Sequence, residues 1–351
     1  MNLFSTAGVR VEGYSTYYSA GLGEVADVIL VEPLSEELFN RVYRELVKKG
    51  YMAVQLKSEK PVFRIIPISS KRSRWKIPLL LATMATVFAT GLGLSASFYT
   101  VTADVVAWSV VYTVIFIVAL AVHEFGHILA SKRSGVLIEG PFFIPAPPIQ
   151  LGFIGTFGAV ISMKTIPPDK KSLSQIGISG PLFGFLAGLV IAPIGILLSQ
   201  PLTVQQAQSM VEAGLASPLA GVPLVFQVLE YFMVPQGYTI LVHPLAFISY
   251  IVFLVTFLNL IPIGQLDGGH VLRSYLSPSL YDLAGWASIA LLMSLGIFYG
   301  VYLWIGIIAL LFKLLFGRYQ HPGSANQYSE SHNLIYLALY LVLLALTAPL
   351  P

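Results

Sequence analysis

The apolar runs set the terms for this chain. A helix that crosses a bilayer needs about 20 consecutive, mostly apolar residues. Such runs occur at 77–97, 105–131, 174–199, 242–263 and 333–350. The stretch 281–316 is too long for one crossing, and Tyr299–Gly300 divides it into two short ones. Composition agrees: 56% of the 351 residues are hydrophobic and 11% are charged, where a soluble domain carries about 25% charge. The fold class expected is an all-α polytopic membrane domain of about seven transmembrane helices, six to eight being compatible with the runs. Residues 218–234 are apolar too, but contain Pro223 and Glu230, and read as interfacial or re-entrant.

Charge is concentrated at the start. Residues 1–76 hold 12 of the 20 Lys+Arg and 8 of the 17 Asp+Glu. That break predicts a soluble domain over 1–76 and a membrane domain over 77–351. In the first, ADVILVEP (26–33) reads as a buried strand and LSEELFNRVYRELVKKG (34–50) as an amphipathic helix, with Ser35 at its start and Gly50 at its stop. YMAVQL and VFRIIPI read as two further strands around the charged turn at Lys57–Pro61. A small β-α-β-β accessory unit is expected, and it carries no chemical motif. Met1–Ala20 is polar and tyrosine-rich, without the apolar core of a cleavable signal.

Basic residues in short loops stay on the cytosolic side. Lys71, Arg72, Arg74 and Lys76 precede the first run, so the N-terminus is expected in the cytosol. With seven crossings, Lys132, Arg133, Lys164, Lys170, Lys171, Arg273, Lys313 and Arg318 all fall on that side, whereas 200–241 has no basic residue. The localisation expected is a multi-pass protein of the cell membrane. A net charge of +3 gives no footprint for nucleic acid.

LAVHEFGHILA (120–130) interrupts this pattern with three ionisable side chains in one run. An unpaired acid in hydrocarbon costs roughly 3 kcal/mol on insertion scales, so the three together need a purpose. Positions i and i+4 share a helix face, which lets His123 and His127 bind one metal ion. Glu124 stands beside them, placed to act on a water at the metal rather than to ligate. The chain has no cysteine, so any metal rests on His, Asp or Glu. A hydrolytic site needs a third protein ligand and one open position. Asp267, in NLIPIGQLDGGH (259–270), is the candidate. Pro262 and Gly264 break the helix ahead of it, and Gly268 and Gly269 allow close backbone approach. His127 precedes Lys132 by five residues, about 7–8 Å of helix, and Asp267 enters from the same side at similar depth. His270 reads as a residue behind the ligands or at a helix start, while His243, His321 and His332 read as structural.

With these motifs the chain resembles the site-2 proteases, the family of intramembrane zinc metalloproteases. Its HExxH matches His123, Glu124 and His127, and its Asn-x-x-Pro-x-x-x-x-Asp-Gly motif matches Asn259, Pro262, Asp267 and Gly268. Ser179, Gly180 and Pro181 match the segment that opens the family's central core helix, and GTFGAVI (155–161) resembles its glycine- and β-rich segment. The likeness covers roughly 105–275, and RYQHPGSAN (318–326) is similar to a segment of members with a cytosolic N-terminal extension, including plastid relatives. The resemblance implies one Zn2+ per chain, held by His123, His127 and Asp267, with Glu124 as general base. It implies transmembrane proteins as substrates, cut in or near the bilayer, and an active-site role for Asn259.

Pro and Gly throughout 139–164 exclude a helix there. A β-rich re-entrant segment with a free edge is expected, on which Gly155, Thr156, Phe157 and Gly158 would bind an extended substrate strand. The chain departs from many bacterial members in that 200–241 is too short to hold a PDZ domain and no room remains for a C-terminal CBS domain. The competing reading is a transporter or channel with a metal site, since broken helices and intramembrane acids also mark ion paths. The concentration of ionisable groups in HExxH, with no acid chain through the other spans, argues against it. A chambered membrane zincin would complete HExxH with a downstream glutamate instead.

Overall fold

The computed structural model describes residues 9–69, 73–316 and 321–350. Lys71, Arg72 and Arg318, used above for orientation, lie outside the described residues.

The N-terminal unit holds one strand more than the β-α-β-β expected. Its elements are β1 (Val11–Ser19), β2 (Gly23–Leu30), α1 (Glu36–Lys48), β3 (Tyr51–Leu56) and β4 (Val62–Pro67). The antiparallel strands stand in the order β1-β2-β4-β3. β1 was hidden because it is an edge strand with mostly exposed side chains, so no buried alternation marks it. α1 starts where Ser35 Oγ accepts the Leu38 N–H, an N-cap of the kind typically worth about 1 kcal/mol. Its apolar face buries Phe39, Val42, Tyr43 and Leu46 against Leu30, Ala53 and Phe63 of the sheet.

The unit is bound to later parts of the chain. Tyr43 donates to the Ile166 carbonyl at 2.8 Å and Asn40 Nδ2 to Asp169 at 2.8 Å. Gln55, fully buried, pairs with the segment around Asn326.

Among the described residues, four helices are long and apolar enough to cross a membrane: α2 (Lys76–Phe98), α3 (Thr102–Ser134), α4 (Lys170–Leu198) and α9 (Pro278–Gly296). The other three expected crossings are shorter helices, α7 (Pro244–Leu260), α10 (Gly300–Phe316) and α11 (Leu334–Thr347), of 17, 17 and 14 residues. α7 ends at Ile261, ahead of Pro262. α11 ends because Pro349–Leu350 pairs as β10 with β8 (Val222–Pro223). The break between α9 and α10 falls at residues 297–299, as the length of 281–316 required. Within 218–234 a ten-residue helix, α6 (Leu224–Met233), follows β8. The remaining small elements are β7 (Gln200–Thr203), α5 (Val204–Glu212) and β9 (Tyr238–Leu241), with β7 and β9 paired antiparallel.

α4 is the hub, packed against both α3 and α7 and against the short helix α8 (Asp267–Tyr275). Glycine makes the α3–α4 crossing close: a Cβ on Gly126 would collide with the Ser179 carbonyl. Between α3 and α4 lies the hairpin that replaces a helix, β5 (Ile138–Pro145) and β6 (Thr156–Met163), paired antiparallel with two register shifts. This two-stranded sheet leaves the outer edge of β6 unpaired among the described residues.

Candidate active site

One face of α3 supplies two donors. His123 and His127, one turn apart, bring their Nε2 atoms to 3.2 Å. Asp267 is the first residue of α8, and its carboxylate divides between them: Oδ2 lies 3.3 Å from His123 Nε2 and Oδ1 lies 3.2 Å from His127 Nε2. Zinc–ligand bonds of about 2.0–2.1 Å in a tetrahedron place ligand atoms about 3.3 Å apart. The His123–His127 separation matches that edge, and each ring lies at a similar distance from one oxygen of the Asp267 carboxylate. Two imidazoles and a carboxylate are also donors that zinc accepts, so the residues fit the ion. Among the described residues this is the single group of three metal-competent side chains that converges.

Backbone fixes the His127 ring. His127 Nδ1 is 2.8 Å from the Ile176 carbonyl oxygen. A carbonyl only accepts, so Nδ1 carries the proton and Nε2 keeps its lone pair toward the other donors. Small residues of α4 make the space. A Cβ on Gly180 would overlap His127 Nε2, and one on Gly184 would lie 2.8 Å from His123 Nδ1. Gly177 does the same for the third donor, since a Cβ there would lie 2.8 Å from the Asp267 carbonyl oxygen.

Glu124 is 3% exposed, and its Oε2 is buried with no hydrogen-bond partner. Burying such an oxygen unpaired is unfavourable, so a partner for it is a candidate role for a bound molecule. It does not join the three donors. All four side chains open on a cavity of about 120 Å³, which Asn259, on the last turn of α7, also lines. The Asn259 amide is half-buried and makes no hydrogen bond to another described residue. A larger cleft of about 300 Å³ lies between α1 and the facing ends of α3 and α4, away from these donors.

The hairpin supplies the opposite wall, but from the later half of β6. Ala159, Val160, Ile161 and Met163 line the cavity. Gly155, Thr156, Phe157 and Gly158 do not line it. A strand rises about 3.3 Å per residue, which sets the start of β6 well away from the donors. Gly155 lies against α2, where Thr86 Oγ1 donates to its carbonyl at 2.6 Å. Thr156 Oγ1 donates to the Ile144 carbonyl and accepts the Gly158 N–H. Phe157 is 64% exposed. Neither these wall residues nor Gln265, which also lines the cavity, carry a sequence signal that sets them apart.

The base of the hairpin is tied by charge. Glu139 pairs with Lys164 at 2.8 Å and accepts the Ser73 N–H at 2.6 Å. These contacts, Lys164 first, hold its carboxyl below the usual carboxylate range.

The other histidines have partners elsewhere. His243 caps α7 and meets the Tyr99 hydroxyl at 2.7 Å, and His332 stacks on Tyr275. His270 lines the cavity with its Nδ1 2.7 Å from His321 Nε2.

Residues 111–303 match peptidase family M50. Among curated proteins, the chain is 31% identical over 197 residues to a probable chloroplastic zinc metalloprotease, EGY2, of Arabidopsis thaliana, covering 54% of this chain and 33% of that protein. It is 35% identical over 156 residues to the probable chloroplastic zinc metalloprotease EGY1 of Oryza sativa subsp. japonica, covering 43% and 25%. It is 27% identical over 170 residues to zinc metalloprotease MJ0392 of Methanocaldococcus jannaschii, covering 48% and 35%. The matched part thus spans about a quarter to a third of each relative's length. No solved structure matches.

Proposed function

The chain belongs to peptidase family M50, and from that membership we propose that it is an intramembrane zinc metalloprotease, hydrolysing peptide bonds in or near the transmembrane segments of other membrane proteins. One observation carries the reading. Two imidazole nitrogens stand at the edge length of a zinc tetrahedron with the Asp267 carboxylate against both, beside Glu124, whose buried Oε2 has no partner among the described residues. The names of the relatives, zinc metalloproteases, support it.

His123, His127 and Asp267 would hold one zinc ion per chain. Bound there, zinc supplies Lewis acidity, which makes water acidic enough to attack a peptide carbonyl near neutral pH. The chain's own groups do the rest. Glu124 follows His123 directly and so is turned about 100° from it around the helix. Its free Oε2 takes the proton of the attacking water. The C–O bond forms, the peptide C–N bond breaks, and Glu124 returns that proton to the leaving nitrogen. General acid–base help of this kind is worth about 10²–10⁴ in rate. The Asn259 amide donates to the substrate backbone. The open edge of β6 receives the substrate as an added strand, which presents amides that a helix would hide.

The same reading places residues 77–351 in the cell membrane as the protease domain, with its core at about 105–275, and residues 1–76 as a cytosolic domain. The four long helices support the membrane assignment. The three shorter apolar helices would complete seven crossings, and the loop Lys and Arg residues put the metal donors near the cytosolic face.

Zinc analysis of the purified chain, paired with cleavage of a set of single-span membrane proteins, tests the proposal. About one zinc per chain with cuts in or beside the span is the expected result. Absence of zinc, or zinc with no cleavage of any membrane substrate, would overturn it.

A further inference from the structure

The donor helix α8 is nine residues long, too short to hold its own position in water. Its first residue is Asp267, so the place of the third donor depends on what anchors the helix. Two anchors are apolar close contacts, at Gly177 and at Gly268, where a Cβ would collide with the Leu260 carbonyl. One polar anchor is at the far end, where the Tyr275 hydroxyl donates to the Asn333 carbonyl at 2.6 Å, and another is one turn on from Asp267. His270, buried, meets His321 through its Nδ1 at 2.7 Å, with the rings edge to face.

His321 also reaches the turn that leads into Asp267 through Tyr281. Its ring lies edge-on to Tyr281 at 5.8 Å, and the Tyr281 hydroxyl donates to the Gly264 carbonyl at 3.0 Å. The hydrogen bonds have a fixed direction. Gly323 N–H can only donate, and it points at His321 Nδ1 from 3.0 Å. In the neutral ring His321 Nε2 therefore carries the proton and donates to His270 Nδ1. The His270 proton is then on Nε2, and this ring lines the catalytic cavity.

His321 is delivered by a strap whose other end is held by the N-terminal unit and by the loop ahead of α4, where Ala325 N–H donates to the Pro167 carbonyl at 2.8 Å and Asn326 N–H to the Pro168 carbonyl at 3.0 Å. Ala325, fully buried, sits in the core of that unit with Phe39 and Phe63. Gln55 N–H donates to the Ala325 carbonyl at 2.8 Å, and Gln327 N–H to the Gln55 carbonyl at 3.0 Å. The strap thereby extends the sheet at β3 with a parallel bridge between Gln55 and Asn326. Ser329 Oγ donates to Glu36 at 2.8 Å. Ala325 is only four positions on from His321, about 13 Å of extended chain, so the tether has little slack.

We infer that His321 is a positioning residue for the Asp267 donor, acting through His270, and that the N-terminal unit, together with the loop ahead of α4, sets its place by holding the strap. The inference rests on the zinc-protease reading and deepens it. It gives the soluble unit a task within the membrane site that a free accessory domain would not have.

The test uses the full chain, loaded with zinc, and follows metal release to a chelator beside the melting temperature of the metal-free protein. His321→Leu keeps bulk and removes the donor to His270. It should release zinc at least about tenfold faster, within the 10–100-fold range for residues behind metal ligands, with metal-free melting lowered only by the loss of one buried hydrogen-bond partner. His321→Gln, whose amide reaches the position of Nε2, should return release to within about threefold of wild type. Gln55→Met, which loosens the strap's far end, should speed release in the same direction by a smaller factor. Wild-type release from His321→Leu would overturn the positioning role. So would a fall in metal-free melting with His321→Gln no better than His321→Leu, because His321 would then be packing only. Wild-type release from Gln55→Met would overturn the part given to the N-terminal unit. A wild-type chain that binds no zinc would remove the reading underneath, a failure distinct from both.

Discussion

Gly184→Ala adds one methyl group to the face of α4 that seats His123. The added Cβ would lie 2.8 Å from His123 Nδ1, where ordinary contact begins at 3.4 Å, so the ring must retreat by about 0.6 Å. A metal–ligand distance tolerates only about 0.2 Å. In the metal-free protein the ring can swing aside, and the exchange of Gly for Ala favours the helix by about 0.8–1.0 kcal/mol. The burden therefore falls on metal binding. Zinc affinity should fall about 10–100-fold, which is about 1.4–2.8 kcal/mol, while metal-free melting stays level or rises. Gly180→Ala should be more severe, because its Cβ would overlap the donor atom of His127 itself. Zinc competition against a chromophoric chelator, with melting followed on the same preparations, reads both quantities. Wild-type zinc affinity in Gly184→Ala would refute the argument that glycine on α4 sets the position of the metal donors.

Three further outcomes are expected. Asp267→Asn should lose most bound zinc, since a neutral amide replaces the one anionic donor; full zinc content by elemental analysis would remove Asp267 from the ligand set. Proline at Val160 or Ile161 should cut proteolysis while zinc stays in place, because proline removes a ladder donor from β6; unchanged turnover at both sites would dismiss strand addition. Glu139 has its carboxyl pKa lowered in the fold by Lys164 and by Ser73, so its contribution to stability is present above about pH 4.5 and lost as pH falls through the lowered value. A Glu139→Gln variant should therefore melt with a weaker pH dependence below about pH 4.5, and an unchanged profile would dissociate the hairpin's base from this pair.

The donors were legible because their chemistry is local. His123 and His127 at i and i+4 require a shared face, and Asp267 lies in a turn whose Pro and Gly announce a helix break. The break in 281–316 was legible from length alone, and Ser35 from capping chemistry. What escaped depends on contacts between distant segments. Gly177, Gly180 and Gly184 look like ordinary small residues of a membrane helix until the rings opposite them are known. His321 stands 51 residues from His270, and no local pattern joins them. The register of the hairpin decides that Ala159–Ile161 rather than Gly155–Gly158 wall the cavity, and two shifts in that register have no sequence marker beyond glycine and proline. β1 was missed because an exposed edge strand has no buried face to alternate with.

The central claim is that Glu124 moves the proton while His123, His127 and Asp267 hold the metal. Glu124→Gln keeps the size of the side chain and removes the carboxylate, and nothing in the donor set changes. Zinc content and single-turnover cleavage of a single-span substrate, measured on one preparation, separate the two roles. The account predicts zinc near the wild-type level and cleavage slower by at least about 100-fold. Near-normal cleavage by Glu124→Gln, with zinc bound, would contradict it.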